Sequence, residues 1–118
     1  MLVPVSGVEL GEDHEGWAVV VLTGEADLYL APALRECVDA LVAEDRARIV
    51  VDLEHVEFMD SSALGVIVYG LRRTRTLGGA LRLAGPGTQV RRLLELTRLG
   101  EAVEVFADAA SACREPER

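Results

Sequence analysis

Between residues 55 and 66 the chain reads HVEFMDSSALGV, so an aspartate and two hydroxyls, Asp60, Ser61 and Ser62, fall where an apolar strand gives way to an apolar helix. Two kinds of chemistry suit those residue types there. Aspartate and serine oxygens accept hydrogen bonds from the unpaired amides of a first helical turn, a capping role worth about 1 kcal/mol. A serine at a helix start is also a place where a phosphate can be added without wrecking the fold, because N–H groups and a partial positive charge face it. Phosphorylation there would change what a partner meets while leaving the domain intact. Both readings stand from the residues alone. At about 100° per residue, Gly65, Tyr69 and Arg72 fall within about 80° of Ser61. They form a predicted exposed stripe beside the apolar positions Leu64, Ile67, Val68 and Leu71.

Other chemistry-bearing residues lead nowhere as complete. Gly24-Glu25-Ala26-Asp27 sets two carboxylates after a strand, but no histidine, cysteine or third acid is spaced to complete an acid–base pair or a metal site. AGPGT (84–88) lacks the GxxxxGK[ST] pattern, and the chain has no lysine to supply it. The same missing lysine argues against a phospho-acceptor aspartate of the receiver type at Asp52. His14 and His55 read as loop and strand-end residues, and no serine, threonine or cysteine has a visible base to activate it. Cys37 and Cys113 are far apart, without a CxxC, which suits two free thiols in a reducing compartment. Neither a catalytic function nor a cofactor or metal is predicted.

Half of the 118 residues are hydrophobic but only 4% are aromatic, so the core must be aliphatic. Twelve arginines against twenty acids give a net charge of −8, which disfavours direct contact with nucleic acid or an anionic membrane surface. The clusters Arg72, Arg73, Arg75 and Arg91, Arg92, Arg98 read as solvated helix faces. There is no signal-peptide pattern and no apolar run near 18 residues, so a cytoplasmic location is expected.

The elements that must position Ser61 follow from periodicity. WAVVVLT (17–23), closed by Gly24, reads as a buried strand, preceded by a short strand at 8–10 that returns through GEDHEG. Leu34, Cys37, Val38 and Leu41 mark a helix over 31–44 with Pro32 in its first turn. RIVVDL (48–53) is a third strand, and a helix over 62–77 ends at Gly78-Gly79. ALRLA (80–84) is a fourth strand, and a helix after GPG turns Val90, Leu93, Leu94 and Thr97 inward. AVEVF (102–106) is a fifth, with a last short helix over 107–113. The order ββαβαβαβα predicts an α/β fold, with a mixed, largely parallel sheet of about five strands and about four helices. We expect a single domain over 1–118, with its core at about 8–112 and a frayed tail at 113–118.

VVLTGEADLYLAPALRECV, RIVVDLEHVEFMDSSALGVIV and GGALRLAGPGTQVRRLLELTRLG, in that order, resemble the STAS domain of bacterial anti-sigma factor antagonists of the SpoIIAA and RsbV type. The resemblance covers about Val8 to Ala112, and FMDSSxLG is its most specific part. It implies that Ser61 is phosphorylated by an anti-sigma factor with serine-kinase activity. It implies also that the unphosphorylated form binds this partner and frees its sigma factor, and that a phosphatase restores it. Asp27, Asp60 and Ser62 match positions near the family's contact surface. The sequence departs at Ala63, where many members carry glycine. A methyl group there narrows the approach to the serine, while alanine is the better helix former. Two other readings stay open: a phosphorylation-independent STAS scaffold or transport-system module, and a small nucleotide-binding domain using GEAD and AGPGT.

Overall fold

The computed structural model describes residues 7–116. Five strands form one sheet in the order β1-β2-β3-β4-β5, with β1 (Gly7–Leu10), β2 (Ala18–Ala26), β3 (Arg48–Met59), β4 (Ala80–Ala84) and β5 (Glu104–Phe106). β1 runs antiparallel to β2, and every other pairing is parallel. Four α-helices supply the crossovers and the last element: α1 (Ala31–Ala43), α2 (Ser61–Thr76), α3 (Thr88–Thr97) and α4 (Ala109–Arg114). This is the predicted ββαβαβαβα order.

Two strands run further than their hydrophobic pattern suggests. β2 does not close at Gly24 but continues to Ala26, and β3 continues six residues beyond Leu53. The cause is bulging. The β2–β3 register slips between Val21 and Thr23 and again between Gly24 and Glu25, where Gly24 takes a φ of +81° that only glycine adopts cheaply. Buried positions of β3 therefore fall at Leu53, Val56 and Met59, three apart rather than two. β4 pairs β3 only through Asp52, so the distal β2–β3 ribbon projects past it and carries the chain to Asp60.

α1, α2 and α3 pack on one face of the sheet. Val20, Leu22, Ile49, Val51, Leu53, Leu81 and Leu83 meet Leu34, Val38, Leu41, Leu64, Ile67, Leu71, Val90 and Leu94 there. Cys37, Val68 and Leu93 are only half-buried, and Thr97 is exposed, its hydroxyl donating to the Leu93 carbonyl at 2.8 Å. Thr97 therefore faces out, contrary to the periodicity. α2 closes with Gly78 at a φ of +77°, and Gly79 passes so near the Ala47 carbonyl that any β-carbon would lie 2.0 Å from its oxygen.

The other face holds a smaller core of Trp17, Val19, Val50, Ala84, Ala112 and Cys113. Arg82, an unremarked outward position of ALRLA, is fully buried in it. Its guanidinium lies 4.4 Å from the Trp17 ring centre and 5.0 Å from that of Phe106. It donates to Glu104 Oε1 and to the carbonyls of Ala112, Glu115 and Pro116. The predicted frayed tail is thus corrected as far as Pro116, because a buried arginine holds it; residues 117 and 118 lie outside the described ones.

Candidate functional site

Asp60 caps α2. Its backbone is extended, and its Oδ1 accepts from the amides of Ser62 at 2.8 Å and Ala63 at 3.2 Å. The helix therefore opens at Ser61, one residue before the predicted start, and Asp60 does the capping. The other oxygen, Oδ2, accepts from the Leu28 amide at 3.2 Å, and the Asp60 amide donates to the Ala26 carbonyl at 3.0 Å. One carboxylate thus fixes a helix start and ties it to the β2–α1 turn.

That turn is held from within by Asp27. Its Oδ1 accepts from the amides of Tyr29 and Leu30 at 3.0 and 3.1 Å, and its carbonyl receives Leu30 and Ala31. On the opposite side, Gln89 of α3 makes a reciprocal pair with Met59, accepting from its amide and donating to its carbonyl, both at 2.8 Å. The segment entering Asp60 is therefore anchored by both β2 and α3. Gln89 was missed by sequence reasoning because no spacing rule marks a side chain that bonds to backbone thirty residues away.

Ser61 and Ser62 are both exposed, and no described residue bonds to the Ser61 hydroxyl. One turn on, Gly65 is exposed with open space where a β-carbon would stand. Ser62 is instead followed one turn later by the half-buried Val66. Arg72 lies exposed on the stripe begun by Ser61. Tyr69 corrects the picture of a bare exposed stripe. It is half-buried, its hydroxyl donates to Asp39 Oδ1 at 2.5 Å, and the Arg35 guanidinium lies 4.1 Å from its ring centre, so the ring joins α2 to α1.

The electrostatics are sharper than a helix start with unpaired amides. Asp60 already occupies the Ser62 and Ala63 amides, so a phosphate on Ser61 would feel the positive end of a 16-residue helix but meet a carboxylate where two N–H groups were expected. Neither Asp27 nor Asp60 sits beside a histidine, and no group of three metal-ligating side chains occurs among the described residues. No described helix is long and apolar enough to cross a membrane. Burial pushes the thiols of Cys37 and Cys113 above their ordinary range, with Glu15 adding to the effect at Cys113.

Three apolar side chains beside this framework also escaped the sequence reading. Leu28 and Tyr29 in the turn and Phe58 at the end of β3 are solvent-exposed. The signal is present in GEADLYLAP, where LYL interrupts a polar turn.

The sequence profile of the STAS domain matches residues 11–112. The anti-sigma-B factor antagonist of Bacillus subtilis (strain 168) is 36% identical over 96 residues, spanning 81% of this chain and 87% of that protein. The crystal structure of an anti-sigma factor antagonist from Mycobacterium paratuberculosis superposes with a TM-score of 0.78 at 30% identity, covering 93% of this chain and 91% of that one. The Bacillus cell fate determinant SpoIIAA, solved in its phosphorylated form, shares the fold with a TM-score of 0.72 at 23% identity, over 89% of this chain and 95% of its own. A fold built to present a capped helix start, together with this degree of identity over most of the chain, places the protein in the STAS domain family, among the anti-sigma factor antagonists.

Proposed function

We propose that the unphosphorylated protein binds an anti-sigma factor with serine-kinase activity and so releases the sigma factor, and that phosphorylation of Ser61 ends the binding until a phosphatase removes it. The observation that carries the choice of serine is that exposed Ser61 is followed one turn later by exposed Gly65, with open space where a β-carbon would stand, whereas Ser62 is followed by the half-buried bulk of Val66. The relative from Bacillus subtilis is named for antagonism of an anti-sigma factor, and SpoIIAA exists in a phosphorylated form. The protein acts in the cytoplasm on this reading, as a regulator and not a catalyst.

The surface the partner meets is built around Ser61 from Ser62, Gly65 and Arg72. Asp27 and Asp60 shape its backbone, and Tyr69 closes it on the α1 side. Adding a charge of roughly −2 beside Asp60, in a chain of net charge −8, opposes docking of any surface shaped for a neutral hydroxyl. The methyl group of Ala63 is fully buried and so does not crowd the serine.

Incubation with the purified anti-sigma factor of the same organism and ATP, followed by mass spectrometry, is expected to find the phosphate on Ser61. Phosphate on Ser62 alone overturns the assignment. Ser61→Ala is expected to bind that partner constitutively and Ser61→Asp to bind at least tenfold more weakly; equal binding of the two would point to a phosphorylation-independent scaffold.

A further inference from the structure

The chain carries five aromatic residues, and three of them, Trp17, Tyr69 and Phe106, are packed within the molecule. The other two stand exposed on segments that meet at Asp60: Tyr29 is 85% exposed and Phe58, two residues before Asp60, 44%, while Leu28, whose amide bonds to Asp60 Oδ2, is 59% exposed. Three of the six large exposed hydrophobics among the described residues thus lie on the backbone segments that meet at one capping aspartate. Solitary exposed apolar side chains need no explanation, but a group of them on an ordered backbone does.

The backbone under these side chains is ordered. Asp60 Oδ2 holds the Leu28 amide, Asp27 Oδ1 holds the Tyr29 and Leu30 amides, and Phe58 lies in register with Glu25 of β2. Side chains held outward on a fixed frame lose little backbone entropy when another surface covers them. Their rim is acidic: exposed Glu25 is paired with Phe58 across the ribbon, and the carboxylates of Asp27 and Asp60 bond to the amides of the turn itself.

We infer that Leu28, Tyr29 and Phe58 form an apolar lip that anchors the partner, and that the occupant is the anti-sigma factor itself, through an apolar cleft edged by arginine or lysine. This rests on the function proposed above and adds to it a division of labour. The lip supplies affinity, and Ser61 supplies the switch. A second copy of this chain is the wrong occupant, because it would bring the same acidic rim and its own net charge of −8 against the first. Large aromatic side chains on a rigid frame are the usual carriers of interface energy, with truncation costing tenfold or more in affinity.

The test uses the full chain, the purified anti-sigma factor and ATP. Tyr29→Ser and Phe58→Ser are each expected to raise the KM for phosphorylation of Ser61 about tenfold or more, with kcat changed less than about twofold. Leu96→Ser removes a leucine of α3 that is 75% exposed and should leave both constants alone. Phe58 is partly packed, so Tyr29→Ser and Leu28→Ser keep the result decidable if Phe58→Ser fails to fold. Unchanged KM in Tyr29→Ser and Leu28→Ser, with wild type phosphorylated normally, overturns the lip and leaves the switch intact. A Tyr29-dependent dimer of the free chain also overturns it. Absence of both binding and phosphorylation in wild type overturns the underlying function instead.

Discussion

At the scale of single residues, Asp60 does two jobs with one carboxylate. Oδ1 caps α2 through Ser62 and Ala63, and Oδ2 draws in Leu28 of the neighbouring turn. Asp60→Ala should therefore lower the unfolding free energy by about 1–2 kcal/mol, as loss of a good cap does, measured by urea denaturation. It should also speed amide exchange at Leu28, thirty-two residues away in sequence, which a purely local cap would not do. Asn at 60 keeps a capping oxygen, so Asp60→Asn should retain most of the stability. Gln89 complements Asp60 from the other side, satisfying both backbone groups of Met59. Nothing in the sequence pattern flags that residue, because its partner is fixed by how α3 lies against the end of β3.

Among the elements, α4 depends most on contacts remote in sequence. It has six residues, too few to persist alone. Asp108 caps its start by accepting from the Ser111 amide at 2.7 Å, and Arg82 grips its end through three carbonyls. The bond from Ser111 holds the Asp108 carboxyl below the ordinary carboxylate range. A lowered folded-state value means that the cap's contribution is present above the ordinary value and is lost as pH falls through the depressed one. Strong acid should thus weaken the start of α4, and Arg82→Met should loosen its end at neutral pH, at a cost of about 2–3 kcal/mol for the lost charge-assisted bonds. Trp17, the only tryptophan, packs on Arg82 and reports both events by a red-shifted emission. Concerted loss of α4 and global structure in Arg82→Met would show that α4 is not a separable element.

For the whole molecule, twenty acids against twelve arginines give a net charge of −8 that favours approach by cations. Association with a cation-edged partner should accordingly slow by about tenfold between roughly 0.05 and 0.5 M salt, followed by stopped-flow mixing, because electrostatic steering is screened over a few ångströms at high salt. The sequence by itself determined the order of the elements, the aliphatic nature of the core, and the location of the Asp60-Ser61-Ser62 turn between a strand and a helix. These rest on local periodicity and composition, and both survive folding unchanged. RIVVDL was legible as a strand, but its continuation to Met59 was not, because two bulges break the alternation that marks a strand. Likewise ALRLA announced a strand without announcing that Arg82 is buried beneath the chain's C-terminal helix. Only the tertiary structure decided that Tyr69 is tied to α1, that Asp60 reaches Leu28, and that the segments carrying exposed Leu28, Tyr29 and Phe58 meet at Asp60. Such facts depend on the distance between segments remote along the chain, and no spacing within a single segment encodes it.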